Sequence, residues 1–227
     1  MSAQQDNQRS ERHQLVEMLS RPLVPLLLLL LFLSNCPLLR AQSPITVGNG
    51  MVIVVRHAEK GTDDPTDPTL STAGTKRAEA LVDVLAHAGV GAIVTTHLKR
   101  SQATAAPLAA KLGIKPVVLS VKRGETAAHI ADVVAAVNTA HGAQKGAVLV
   151  VGHSNTVPLI VKALSGIDVA NICDSQHANL FLLFISTATA PATAAARQAL
   201  GATPESTARL IKSKYGEADP PATTDCK

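Results

Sequence analysis

Two kinds of apolar pattern alternate along this chain. Met51–Val55 (MVIVV), Ala92–Thr96, Val117–Val121, Ala147–Val151 and Leu180–Ile185 are short runs rich in β-branched residues. Runs of this kind mark strands buried on both faces. Between them the spacing becomes helical. In Thr75–Ala88, residues Ala78, Leu81, Val82, Leu85 and Ala86 share one face, and Gly89 and Gly91 end the run. Helices are also predicted over 101–112, with Pro107 as a local flaw, over Ala127–Ala140, and from just after the fourth strand through Leu164. Strands alternating with helices predict an α/β three-layer sandwich with a largely parallel central sheet. Residues 61–69 (GTDDPTDPT) read as a turn-rich loop, and 186–207, rich in Ala, Thr and Pro, as a surface excursion. Arg209–Tyr215 reads as an edge strand and 218–227 as a flexible tail.

Residues 1–41 stand outside this pattern. A polar stretch with Arg9, Arg12 and Arg21 leads into the apolar run 23–33 (LVPLLLLLLFL), and small residues around Ala41 follow. That order describes a secretory signal. The apolar run is short for a helix crossing a hydrocarbon layer, which needs about 20 residues. Extended to Leu39, the segment would serve as an uncleaved membrane tether through residues 23–39. A lipidation site at Cys36 is the minor reading, because Asn35 is unusual just before such a cysteine. The chain is therefore expected to be exported, to a periplasmic or extracellular space, with a domain over 50–217.

Composition narrows the function. Of 227 residues, 46% are hydrophobic and only 2% aromatic. The first figure excludes general disorder. The second argues against a single-strand nucleic-acid binder, which stacks bases on rings. The net charge of +4 comes with no run of five Lys or Arg, so no nucleic-acid partner is expected. Past the signal, Cys173 and Cys226 remain. They either pair in an oxidising compartment, tying down the tail, or are unrelated thiols. No HxH or HxxxH pair occurs among the eight histidines, so no zinc site is read.

In parallel α/β sheets, ligands collect at the carboxyl ends of the strands. The first strand delivers Arg56 and His57 there, the second Thr96, His97 and then Arg100, the fourth Gly152, His153 and Ser154. Two arginines and two histidines at one edge suit phosphate. Arginine offers phosphate oxygens a rigid fork. A neutral imidazole can attack phosphorus and carry the phosphoryl group, and a second can stabilise charge on its oxygens. The turn Gly152–Thr156 is a poor nucleophile elbow, because its second glycine is missing. Ser154 as a hydrolase nucleophile would also leave Arg56, His57 and Arg100 unexplained.

Four blocks carry a resemblance. Val54–Lys60 (VVRHAEK) resembles the RHG-type signature of the histidine phosphatase superfamily, the phosphoglycerate-mutase-like family. Asp67–Gly74 (DPTLSTAG) resembles the segment leading into that family's first helix, Leu98–Ala105 (LKRSQATA) its second-arginine block, and Val150–Asn155 (VVGHSN) the segment around its second histidine. Asn179-Leu180-Phe181 resembles the start of its late strand. The blocks keep family order over roughly residues 50–217.

The resemblance implies that His57 becomes phosphohistidine, that Arg56 and Arg100 clamp the phosphoryl oxygens, and that His153 stabilises the transferring group. It implies no metal or organic cofactor. Asp63 stands where the family often has Asn, and a carboxylate pointing inward would repel phosphate, so that role is not carried over. The family's general acid commonly lies between the second arginine and the second histidine. Glu125 has that position, just past the third strand, although its neighbours Lys122–Thr126 depart from the family motif. Its other reading is a helix N-terminal residue favoured by the macrodipole. Glu59 reads as a residue that holds the loop. His97 and His177 read as loop residues, with His177 and Asp174 bordering the substrate as the other reading. His87, His129 and His141 read as solvated.

The function expected is an exported phosphatase of the histidine acid phosphatase type, hydrolysing phosphate monoesters of small molecules or envelope components. The alternatives are a non-catalytic phosphate-binding module on the same fold and, less favoured, mutase-type phosphoryl transfer. The short interval between Arg100 and His153 leaves an open, wet site, which favours hydrolysis. Composition is silent on oligomeric state.

Overall fold

A computed structural model describes residues 49–143, 145–187 and 206–221. Residues 1–41, read above as a secretory signal, most of the 186–207 excursion, Cys36 and Cys226 lie outside the described residues. The chain divides into two units, Met1–Ile45 and Thr46–Lys227, and all described residues belong to the second.

The elements run β1 (Gly50–Arg56), α1 (Thr72–Leu85), β2 (Val90–Thr96), α2 (Lys99–Leu112), β3 (Val117–Leu119), α3 (Thr126–Gly142), β4 (Ala147–Gly152), α4 (Val157–Ser165), β5 (Asn179–Thr187) and β6 (Ser206–Lys214). They form one six-stranded sheet in the order β3-β2-β4-β1-β5-β6. The pairs β2·β3, β2·β4 and β1·β4 are parallel. The pairs β1·β5 and β5·β6 are antiparallel. The sheet is therefore mixed and parallel through its centre. Between β4 and β5 the chain runs through α4 and then a loop whose carbonyls at Cys173, Asp174 and Gln176 meet Arg56 at the carboxyl edge, so β5 starts from that edge and runs in reverse.

The apolar runs alternate between two cores. Val52, Val54, Val94, Val148, Val150 and Leu183 face α3 and α4. Ile53, Val55, Ile93, Leu149, Val151 and Leu180 face α1 and α2. Both sets are buried, so neither face leaves a polar mark in the sequence. Each fully buried Val, Leu or Ile contributes about 1.5–3 kcal/mol. The short edge strand β3 leaves Val117 and Val118 exposed.

Local features fix where α1 and α2 begin. The Ser71 hydroxyl accepts from the Gly74 amide at 3.1 Å and caps α1. A Cβ on Gly74 would lie 2.1 Å from the Glu59 carbonyl oxygen, so only glycine lets α1 approach the loop after β1 this closely. The Lys99 amide, at the first residue of α2, donates to Asp67 at 3.0 Å. Among the described residues no helix is long and apolar enough to cross a membrane.

The tail needs a correction at its near end. Asp219 accepts from the backbone amides of His177 and Ala178 at 2.6 and 2.8 Å and pairs with Lys214 at 2.8 Å. These bonds fasten the chain beyond 217 to the loop ahead of β5.

Candidate active site

The carboxyl ends of β1, β2 and β4 open into a cavity of about 590 Å³. Arg56, His57, Arg100 and His153 line it together. Arg56 and His57 leave β1, His153 leaves β4, and Arg100 sits in the first turn of α2, just past β2. Glu125 is not among the lining residues. It occupies the N-cap of α3, and its exposed carboxylate lies 3.5 Å from Lys122 Nζ, in solvent. The structure therefore brings together four of the five residues singled out for chemistry and leaves the fifth outside.

His57 is 4% exposed. Its Nδ1 lies 2.8 Å from the Ala58 carbonyl oxygen. That carbonyl can only accept, so Nδ1 carries the proton and Nε2 holds the lone pair. Nε2 accepts from Arg100 Nε at 3.3 Å. The His57 ring is fixed from behind as well: His177 Nδ1 donates to the His57 carbonyl oxygen at 2.9 Å, and the two rings lie 5.9 Å apart. His153 sits 5.2 Å from His57, centroid to centroid. Its Nε2 lies 3.1 Å from the Thr96 hydroxyl, which also bonds Ser101. Burial pushes the His57 imidazole down to about 2, and His153, Arg56 and Arg100 add to the effect. Burial, with Arg100 next, pushes His153 down to about 3. Both rings are therefore neutral across the physiological range.

The arginines are held by different means. Arg56 Nη1 donates to the carbonyls of Cys173, Asp174 and Gln176 at 2.7, 2.9 and 3.0 Å. Its Nη2 lies 3.5 Å from the largely exposed Asp174 carboxylate, and its buried Nε makes no hydrogen bond among the described residues. Arg100 is aligned by Asp67 at 3.7 Å. Thr104 joins the two halves of the site, because its hydroxyl accepts from the Ala58 amide at 2.9 Å and donates to the Arg100 carbonyl at 2.7 Å.

Neighbouring residues divide between expectation and surprise. Glu59 does hold the loop: it takes Arg77 in a bidentate pair, with Nη2 at 2.7 Å and Nε at 2.9 and 3.0 Å. Asp63 accepts from Thr69 in the loop, away from the cavity lining. His97 accepts from the Val121 amide at 3.1 Å, as a loop residue. His129 and His141 were expected in solvent, yet both are buried. His129 lies four residues before Val133 and eight before Val137, on the apolar stripe of α3, and that spacing could have placed it inside. Arg77 was not singled out at all, and nothing local marks it. Cys173 is disulfide-bonded, and its partner lies outside the described residues. Among the described residues no group of three or more acidic, His or Cys side chains could hold a metal ion.

Fold and site define an α/β protein whose parallel strand ends present a cationic cavity with two neutral imidazoles. Residues 52–122 match the model of the histidine phosphatase superfamily (branch 1). Its fold is similar to that of mycobacterial hydrolase 1, at 16% identity over 71% of this chain and 97% of the other, with a TM-score of 0.51. Two further structures are similar at lower scores. One is the protein histidine phosphatase SixA complexed with tungstate, at 15% identity over 59% of this chain and 86% of the other, with a TM-score of 0.48. The other is a mycobacterial glucosyl-3-phosphoglycerate phosphatase, at 16% identity over 71% of this chain and 97% of the other, with a TM-score of 0.46. No curated protein matches the chain. At these identities the likeness is one of fold.

Proposed function

We propose that this chain is an exported phosphatase of the histidine acid phosphatase type, acting through a phosphohistidine at His57. One observation carries the reading. His57 has Nδ1 committed to a carbonyl, so its Nε2 lone pair, which takes a long 3.3 Å contact from Arg100, is directed to the cavity shared with Arg56, Arg100 and His153. In the first step Nε2 attacks phosphorus, the P–N bond forms, and the bond to the leaving oxygen breaks. The two guanidinium groups and His153 hold the phosphoryl oxygens and their developing charge. In the second step water attacks the phosphoenzyme, the P–N bond breaks, and inorganic phosphate leaves. Because burial keeps His57 neutral well below pH 6.5, the nucleophile persists in mildly acidic solution.

Proton donation to the leaving group is the weak step. Glu125 lies outside the lining, and Glu59 is engaged by Arg77. Among the described lining residues Asp174 is the only carboxylate, and it faces Arg56. We therefore expect substrates with good leaving groups to react fastest. The same observation favours a second reading, a phosphate-binding module without turnover. Export is supported by the signal pattern of residues 1–41 and by the disulfide at Cys173, a bond suited to an oxidising compartment.

The test uses residues 42–227 and para-nitrophenyl phosphate across pH 4–9, with a quench that preserves acid-labile phosphohistidine. The expected result is turnover and a trapped phosphoenzyme, both lost in His57→Ala. Turnover that survives His57→Ala would overturn the nucleophile. Phosphate binding without turnover on any activated ester would establish the binding module instead.

A further inference from the structure

Between α4 and β5, residues 166–178 form no helix or strand. This stretch nevertheless supplies the three carbonyls and the carboxylate that meet Arg56. A segment without its own ladder of hydrogen bonds keeps its carbonyls aimed only where outside contacts hold it. At the far end those contacts come from the C-terminal stretch. The Tyr215 amide donates to the Ala178 carbonyl at 3.0 Å, and Asp219 takes the amides of His177 and Ala178 at 2.6 and 2.8 Å.

At the near end stands Cys173, which is 3% exposed and disulfide-bonded. Its carbonyl makes the shortest of the three bonds to Arg56, at 2.7 Å. One residue therefore carries a covalent tie through its side chain and an acceptor for the clamp arginine through its backbone. The chain has three cysteines, so the partner is Cys36 or Cys226. Cys36 leaves with residues 1–41 on the export reading. Cys226 follows Asp219 by seven residues. An extended chain of that length spans up to about 25 Å, and Asp219 is already fastened at His177, close in sequence to Cys173.

We propose that Cys173 pairs with Cys226 and that this disulfide is a positioning element for Arg56, holding the carbonyls of residues 173–176 around its guanidinium. The C-terminal tail thereby becomes part of the support of the phosphate clamp. As the S–S bond forms, both thiols give up their hydrogens. An external disulfide of the oxidising compartment takes up the electrons and protons and is cleaved to thiols. Before export, with both thiols reduced, the clamp holds phosphate more weakly. This inference rests on the phosphate-holding role that the phosphatase reading gives Arg56, and not on turnover.

The full chain, expressed with residues 1–41 in place, is tested in two ways. The first is peptide mapping of a sample whose free thiols have been blocked. The peptides carrying Cys173 and Cys226 should be joined before reduction and separate after it. A bond from Cys173 to Cys36, or a free Cys173, would overturn the pairing. The second is calorimetry with inorganic phosphate. Cys226→Ser should bind phosphate about fivefold more weakly than the wild type, a fraction of the loss when a charge-assisted hydrogen bond is broken outright. Full reduction by dithiothreitol should weaken the wild type equally and leave Cys226→Ser unchanged, so a folding defect of the variant is told apart. Arg56→Lys keeps the charge and removes the Nη1 that grips the carbonyls, so in that background Cys226→Ser should change the affinity by a factor of about one. A merely structural crosslink would weaken both backgrounds by the same factor and overturn the positioning role. Equal phosphate affinity of the oxidised and reduced wild type would overturn it too. Such a failure, with His57-dependent turnover of para-nitrophenyl phosphate intact, would leave the phosphatase reading standing. The expected affinities without any turnover would instead sink that reading and keep the role of the disulfide.

Discussion

Arg56 and Arg77 are both buried, yet the protein compensates them in opposite ways. Arg77 meets a bidentate Glu59, donates from Nη1 to the carbonyls of Tyr215 and Glu217, and has its guanidinium carbon 5.7 Å from the centre of the Tyr215 ring. Arg56 meets three carbonyls and, at 3.5 Å, a carboxylate that is 79% exposed. Burial acts against both charges. At Arg77 the pair with Glu59 outweighs it and raises the pKa, whereas at Arg56 burial prevails and lowers it. The difference teaches how one fold separates structure from function. A carboxylate neutralises a buried cation and turns it into a strut. Carbonyl dipoles steady a buried cation without neutralising it, and the remaining positive potential is available to an anion.

The largest effect that would break this comparison is on activity. Arg56→Ala should lower kcat/KM on para-nitrophenyl phosphate by about 10³-fold, the scale of losing a principal charge-stabilising donor. Its stability should fall by only about 1–2 kcal/mol, the cost of stranding acceptors that partly reach water. Arg77→Met should do the reverse, costing about 3 kcal/mol in urea unfolding because it leaves Glu59 uncompensated. Its folded fraction should keep kcat/KM within about tenfold, and adding Glu59→Gln should recover about 1 kcal/mol by removing the stranded charge. If Arg77→Met abolished turnover without loss of stability, the division between strut and clamp would be wrong.

The neutral histidines sharpen the contrast on the pH axis. His57 and His153 have folded values near 2 and 3, against 6.5 unfolded. Below pH 6.5 the unfolded chain takes up protons that the folded state refuses, so stability falls as pH falls toward those depressed values. Between pH 7 and 5.5 the wild type should lose about 1 kcal/mol more stability than His153→Gln, which has one fewer such ring. Phosphate at saturating concentration should shrink that gap, because a bound dianion favours imidazolium. Equal acid sensitivity of the two proteins would mean that His153 already binds its proton when folded.

What the sequence made legible follows the same division. The clamp residues stand at the ends of unbroken apolar runs, so the strand pattern alone sets Arg56, His57 and His153 at one edge. It sets Arg100, just past the second run, at that edge as well. The strut was hidden. Arg77 grips carbonyls at 215 and 217, and Arg56 grips those at 173–176, and both contacts cross more than a hundred residues. No local periodicity encodes such a meeting. Likewise, the run Leu180–Ile185 marks a buried strand but carries no direction, so the reversal of β5 could not be read. Glu125 keeps two readings in the sequence, acid or helix N-terminus, because spacing gives a sheet edge and not the side of the turn that a carboxylate takes; its N-cap position fits the second.

Asp219 lies between the two arginines and contributes to the field at both. Its near oxygen takes the amides of His177 and Ala178, and His177 in turn supports the His57 carbonyl. This carboxylate therefore belongs to the strut side of the comparison but acts on the clamp through one imidazole. Asp219→Asn keeps an acceptor for the amides and removes the charge that Lys214 pairs with. Its stability should fall by about 1 kcal/mol, since one charge-assisted contact is exchanged for a neutral one. Its kcat/KM should fall only about threefold, in kcat and not in KM, because on the proposed mechanism the two arginines that hold phosphate are untouched while the backbone under His57 loosens. A change confined to KM would show that Asp219 tunes the field at Arg56 directly, and that strut and clamp are electrostatically one site.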